Sequence, residues 1–409
     1  MKRVSTLCAL AGVMLAAAPS IPSASARDDS TVVLKINGHV SAVGAYIDQS
    51  RMGELDRSAL AIDSGLFVSL SSRLDGGGEV GARVAFDLDY ATNFDAVLND
   101  AGATDVLEEA WIFWDSRLGR LQLGLQDGAA DILSLGVPTV SSSIRIDGPE
   151  VFLMAYPCNT VCGSDPFQPG SLYSPNGMQL RSDIHGSDNF LKLMYVTPDI
   201  QGLRLAVSYA PDGSRDLGDL LGNDEPNEQG RIWDFAANYL QAVGDIDVGL
   251  SVGHVTGKNV RNSNPGFFGD LDEWGASAKV GYREWTVGAA WRKTNVFGGG
   301  PVSQTLFSSN VFDGLYTEVW SYGATYETGP WMIGANYITS TQELGGSTEQ
   351  DGLGYQLAGA YTFNEYLRLS AGYQRFEYEG PFGSCVVGIT FLCDTLDADI
   401  GYVETTFRF

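Results

Sequence analysis

From Gly65 to Leu74 the chain reads GLFVSLSSRL, with Leu66, Val68, Leu70 and Leu74 on one parity and Ser69, Ser71 and Arg73 on the other. EVGARVAFDLDY, at 79–90, repeats the split: Val80, Ala82, Val84, Phe86, Leu88 and Tyr90 against Arg83, Asp87 and Asp89. The same period recurs in LRLAVSYA, WDFAANYL, DIDVGLSV, WTVGAAW and LRLSAGYQ. Strict alternation marks strands with one apolar and one polar face. It constrains the chain strongly, because every such strand must cover one face and wet the other.

Short and long connections alternate between these strands. The short ones are DGGG at 75–78, SRLG at 116–119, PDIQG at 198–202, AVGD at 242–245, YRE at 282–284, ETGP at 327–330 and FNE at 363–365. The long ones are polar and mostly acidic, as in PDGSRDLGDLLGNDEPNEQG. Seven short turns define seven hairpins, and one more strand at each end makes sixteen. An even strand number, tight turns on one side and long loops on the other predict an all-β fold, a transmembrane antiparallel β-barrel of 16 strands.

Aromatic residues support this reading. Tyr239, Tyr282, Trp285, Tyr326, Trp331, Tyr361 and Tyr366 flank the short turns, while Tyr90, Trp291, Tyr337 and Tyr373 lie toward the other strand ends. Amphipathic rings prefer the headgroup level of a bilayer, so two belts are expected. A secreted β-sandwich would also alternate, but its buried face would not carry Arg83, Lys192, Lys279 and Arg292 in mid-chain strands. In a water-filled barrel those side chains face solvent. The terminal GYVETTFRF is then the closing strand, paired with TVVLKINGHVSAVGAY so that no edge is left in lipid. Parity counted back from Phe409 turns Phe407 and Val403 outward and puts Ile400 and Tyr402 on the other face.

The first 26 residues read as a secretory signal peptide, with Lys2 and Arg3 before an apolar core from Leu7 to Ala18 and Ala24-Ser25-Ala26 at the cleavage site. The barrel is expected over 27–409. Removing the signal leaves 23 basic against 50 acidic residues, a charge of −27, which excludes general nucleic-acid binding. Outside the signal no apolar run is long enough for a membrane helix. Four cysteines remain, Cys158, Cys162, Cys385 and Cys393. An even count in an exported chain suggests disulfides, with three connectivities open and the local pairs Cys158–Cys162 and Cys385–Cys393 favoured.

Three stretches carry a family resemblance: RLGRLQLGLQDGAAD at 117–131, YVTPDIQGLRLAVSYAPD at 195–212, and the terminal Phe409. With them the chain resembles the general porins of Gram-negative bacteria, most closely the alphaproteobacterial type. The resemblance implies a homotrimer with an inward-folded third loop narrowing each pore. It also implies that Phe409 serves as an assembly signal, read by the outer-membrane assembly machinery. Independently, the connection from Asp127 to about Ser187 is by far the longest, and such loops are uncommon unless they have a function. It is the candidate constriction loop, about 127–187, which Cys158–Cys162 would stiffen.

A pore of this kind does no bond chemistry. Its functional residues are those that shape the field across a narrow, wet constriction. The loop offers the acidic Asp127, Asp131, Asp147 and Glu150, and lumen parity at middle depth picks Arg83 and Lys192, with His39 beside them. Relatives stack arginines opposite the loop, whereas here Arg73, Arg117, Arg120, Arg204 and Arg368 sit beside the short turns. Weak cation selectivity is the expectation. No cofactor is called for, although the acidic outer stretches NDEPNEQ, GDLDEW and DTLDADI offer oxygen ligands for Ca2+ or Mg2+ that would bridge to lipopolysaccharide. None has a calcium-loop spacing.

Three alternatives remain at this stage. A substrate-selective channel, for sugars, would line its path with an aromatic rail. The parity of Trp111, Phe113 and Phe190 is ambiguous and no repeated rail is legible. A rim enzyme would have to use His39, His185 or His254, none of which sits in a catalytic motif. A non-conducting surface barrel would need its lumen plugged.

Overall fold

The computed structural model describes residues 32–49, 57–87, 107–147, 180–187, 189–213, 229–259, 270–295, 316–345, 348–382 and 393–409. The predicted signal peptide, Tyr90, Glu150, Cys158, Cys162 and Cys385 lie outside the described residues.

The strands are β1 (Val32–Gln49), β2 (Ser58–Arg73), β3 (Glu79–Asp87), β4 (Leu107–Ser116), β5 (Gly119–Gln126) and β6 (Phe190–Val196). They continue with β7 (Leu203–Asp212), β8 (Gln229–Val243), β9 (Ile246–Asn259), β10 (Leu271–Tyr282) and β11 (Trp285–Thr294). The last are β12 (Thr317–Thr328), β13 (Trp331–Gly345), β14 (Thr348–Thr362), β15 (Leu367–Phe382) and β16 (Cys393–Arg408). Each pairs antiparallel with its sequence neighbours, and β1 pairs with β16, giving a closed barrel of sixteen strands. All seven predicted short turns join the strands they were expected to join. Gly202 shows why one of them needs glycine: its φ is +90°, and a Cβ there would lie 2.3 Å from the Leu240 carbonyl oxygen.

Closure is made at the C-terminus. Val40 lies opposite Phe407, the Phe409 N–H donates to the Gly38 carbonyl (3.1 Å), and the Gly38 N–H donates to the Phe409 carbonyl (3.0 Å). No sheet edge remains.

The outward parity carries an apolar belt that includes Leu34, Ile112, Leu357 and Val403, each more than half exposed. A belt of that extent is stable only against lipid or another apolar surface. Rings cap it near the short turns, with Trp285 against Tyr326 (4.9 Å) and Trp331 against Tyr361 (4.6 Å). Toward the other strand ends Trp291 approaches Trp320 (6.2 Å) and Tyr322 approaches Tyr337 (6.3 Å).

Two details differ from expectation. The acidic DTLDADI is strand rather than loop, because β16 begins at Cys393, opposite Phe382. Its outward Asp399 pairs with Arg375 of β15 (3.0 Å), beyond the apolar belt. A short helix, α1 (Ala129–Leu133), follows β5. Among the described residues no helix is long and apolar enough to cross a membrane.

Candidate permeation site

Lumen parity gives the site its wall. Facing inward are Asp63 and Phe67 of β2, Arg83 of β3, Glu109, Trp111 and Phe113 of β4, Gln122 of β5 and Lys192 of β6. Asp234 of β8, Glu273 of β10, Arg292 of β11, Asn336 of β13, Gln356 of β14, Arg368 of β15 and Glu404 of β16 complete the ring. Each alternates with the outward apolar residues.

Residues 128–144 run along that face from β7 to β16. The Ala130 N–H donates to Asp234 (2.8 Å), Asn238 donates to the Leu133 carbonyl (3.3 Å), and the Leu135 N–H donates to Ser251 (3.3 Å). Asn336 then donates to the Pro138 carbonyl (2.8 Å), Arg368 to that of Val140 (2.7 Å) and Gln356 to that of Ile144 (2.7 Å). At β16 the Glu404 carboxylate accepts from the Ser143 N–H (2.8 Å), the Ser142 N–H (3.3 Å), the Ser370 hydroxyl (2.7 Å) and the Ser141 hydroxyl. Backbone groups that would otherwise be buried without partners are satisfied by the wall.

Residues 180–187 return along β11, β10 and β6. Contrary to the expectation that it faces solvent, Arg292 is fully buried with Glu273, and the two form an ion pair beneath the loop. The Arg292 guanidinium donates to the Arg181 carbonyl (3.1 Å) and to His185 Nε2 (3.3 Å), while Glu273 accepts the Gly186 N–H (2.6 Å). Burial, with Arg292 and Arg181 alongside, pushes the His185 imidazole well below its ordinary pKa. Burial also opposes charge on Asp183, but Arg181 beside it outweighs that and holds the carboxyl well below the usual carboxylate range. Two apolar clusters fill the remaining space. Ile144, Ile146 and Leu180 pack on Val43, Phe376, Ile400 and Tyr402, while Ala130, Leu133 and Ile184 pack on Ala206, Ile232 and Val255. This is why Ile400 and Tyr402 are apolar on an otherwise polar face.

The sequence-predicted residues fall into three groups. Arg83 faces the lumen, with Glu109 3.4 Å away, and keeps 39% of its side chain exposed. His39 also faces inward and meets Asp63 at 2.9 Å. Asp127 and Asp131 begin the loop and are partly exposed. Lys192 and Asp147 are almost completely buried: Lys192 donates to Ser187, and Asp147 accepts from Arg145 (3.0 Å) and Ser182 (3.1 Å). Of the histidines weighed for an enzyme, His185 is tied to Arg292, and His254 points outward and stacks on Trp274 (3.9 Å). Cys393 is described without its predicted partner. Among the described residues no cluster of three or more histidine, cysteine or acidic side chains is arranged to hold a metal ion. Within GDLDEW, Asp270 pairs with Lys258 and Asp272 with His254.

Sequence reasoning missed Glu273, Asp234 and Glu404. Period two marks them as inward but gives no sign that a loop docks there.

A family model described as Gram-negative porin matches residues 4–381. Among solved structures the chain is similar to the outer membrane channel DcaP of Acinetobacter baumannii, with a TM-score of 0.59 at 13% identity over 94% of this chain and 99% of that one. It is similar to an anion-selective porin from Comamonas acidovorans, at 0.56 and 13% over 93% and 100%. It is also similar to the in-vitro folded trimer form of OmpT, an outer membrane protein of Vibrio cholerae, at 0.54 and 12% over 93% and 100%. At these identities the likeness is one of fold. No curated protein sequence matches.

Proposed function

The chain belongs to the Gram-negative porin family, an outer-membrane diffusion channel by family and fold, and on that premise we propose a general porin for small hydrophilic solutes and ions, weakly cation-selective. The observation that carries this reading is the closed barrel, apolar and exposed outside and polar inside. In the proposal, about 127–187 is the constriction loop. Asp127 and Asp131 supply its acidic field, with Glu150 outside the described residues, and Arg83 and His39 face them from the wall. Asp147 and Lys192 act by holding the loop in place. Cation preference comes from these loop acids together with the acid excess of the outer loops, which raises cation concentration at the outer mouth.

Assembly as a homotrimer is part of the proposal. The trimer form of OmpT supports it. So does an outward apolar hollow lined by Leu70, Val80, Ile112, Leu123 and Leu193. Lipid and lipopolysaccharide are the proposed surroundings, the assembly machinery the proposed reader of Phe409, and residues 1–26 the cleaved signal.

Single-channel recording in a planar bilayer with a salt gradient tests this. Steps closing in threes with a small reversal potential of cationic sign are expected. Asp127→Asn with Asp131→Asn is expected to move that potential toward zero. Silence from a folded barrel would refute the channel.

A further inference from the structure

The described loop residues, 128–147 and 180–187, pack on the inner wall from β6 round to β16 and on Val43 of β1, and among the described residues they leave much of the rest of β1–β5 open. On that open side the lumen-facing rings and guanidinium groups form a stair. Arg120, near the short turn, lies over Phe113 (4.7 Å), and Phe113 meets Trp111 edge-on (5.8 Å). Arg83 lies over both Trp111 (5.9 Å) and Phe67 (5.1 Å), and Phe67 stacks with His39 (6.2 Å). The register makes each step a climb: Phe113 is opposite Gly81, Trp111 opposite Arg83, and His39 opposite Gly65, farther from the short turns.

Two features say what would bind. Phe67, Trp111 and Phe113 are all partly exposed, whereas the lumen-facing Lys192, Asp234, Glu273 and Arg292 beneath the loop are almost completely buried. The basic groups of the stair also have acidic partners. Arg120 is held in two bonds by Asp115, Arg83 lies beside Glu109, and His39 meets Asp63. Glu109 also accepts the Trp111 indole N–H (3.3 Å), which fixes that ring. An anion would have to displace a carboxylate, and a cation a guanidinium. A neutral solute that offers both donors and acceptors at its edge and an apolar C–H face to a ring needs neither.

We propose that this stair is a binding path for neutral pyranosides, so that sugars cross this channel by saturable binding rather than by free diffusion. The inference rests on the channel reading above and names a solute class for it. Rings stack on the C–H faces of the sugar, while the paired carboxylate and guanidinium edges exchange hydrogen bonds with its hydroxyls.

Maltotriose is the probe. Added to single channels, it is expected to interrupt the current with saturable dependence on concentration, whereas sorbitol, which has no ring face, is not. Trp111→Ala is expected to raise the half-blocking concentration about tenfold, and Trp111→Phe by much less. A second readout needs no current. Of the eight tryptophans, Trp111 faces the lumen and the other seven stand on the outward parity. Maltotriose is therefore expected to change the fluorescence of the detergent-folded trimer, and not that of Trp111→Phe. If Trp111→Ala does not fold, Phe67→Leu and Phe113→Leu remove rings while keeping most of the volume. Channels that conduct salt but ignore maltotriose overturn the proposal and leave the porin reading standing. So does block that Trp111→Ala does not weaken, or stronger block by benzoate than by maltotriose. A folded barrel without conductance refutes the channel reading, and the fluorescence titration then decides whether the sugar site exists.

Discussion

Glu404 gathers hydrogen bonds from Ser141, Ser142, Ser143 and Ser370 on one buried carboxylate. Two of these come from the backbone N–H groups of Ser142 and Ser143. Glu404→Ala is expected to cost about 2–4 kcal/mol of stability, since each orphaned buried donor forfeits its desolvation. Glu404→Gln, which keeps the shape, should cost less. Urea unfolding of the barrel in vesicles measures both, and a loss within experimental error for Glu404→Ala would show that the loop does not depend on it. His185 gives the matching pH dependence. Arg292 and Arg181 face it as cations, and Glu273 and Asp183 as anions. Its folded pKa is depressed, so the folded state binds fewer protons than the unfolded chain. The stability from neutral His185 is therefore complete above its ordinary pKa, about 6.5, and is lost as pH falls below it. Asp183, also depressed, adds a further loss at more acid pH. Loop docking should loosen on acidification, visible as rising open-channel noise from about pH 6 downward. An imidazole nitrogen signal from His185 that titrates at its ordinary value would remove the basis for this.

At the scale of the element, the loop lies close to the wall because glycines make room for it. A Cβ at Gly253 of β9 would sit 2.6 Å from the Ala130 Cβ and 2.7 Å from the Ile184 Cδ1, and at Gly275 of β10 it would sit 2.5 Å from Ile184. Gly323 and Gly334 receive Pro138 and Val140 in the same way. Gly253→Val should lift α1 from the wall, costing about 1–3 kcal/mol by overpacking and making the loop more sensitive to protease. An outward glycine, Gly359 of β14, has no contact closer than 3.8 Å, and Gly359→Ala is the control expected to be neutral. Equal effects of the two would mean that β-propensity, not loop docking, is being measured. The strands, their turns and the inward turn of Ile400 and Tyr402 were legible because period two is a property of neighbouring residues. The stair was not: Trp111, Ile112, Phe113 and Trp114 are all apolar, so alternation cannot say which pair faces water. Nor was α1, whose five residues are too few to show a helical period and whose place is set by Asp234 and Gly253 more than a hundred residues later. Parity identified Lys192 as inward, yet its burial depends on Ser187 lying over it.

For the whole molecule, the terminal residue separates two physical roles. Phe409 contributes two backbone hydrogen bonds to barrel closure, and its ring packs beside Phe407 (6.3 Å) and over Gly38, where a Cβ would meet it at 2.8 Å. Its side chain is nevertheless half exposed on the outward face. Two hydrogen bonds at a strand end, net about 1 kcal/mol each, are a small share of what sixteen paired strands provide. Deleting Phe409 should therefore leave refolding into detergent largely intact. If the residue is also read during assembly, the same deletion should sharply lower the amount of folded barrel reaching the outer membrane in cells. Phe409→Tyr, which keeps the ring and the backbone bonds, should restore most of that yield. Equal losses in the test tube and in the cell would assign Phe409 to closure alone, since no assembly machinery is present during refolding. Loss in cells with normal refolding would place the information in an exposed ring that the finished barrel scarcely needs.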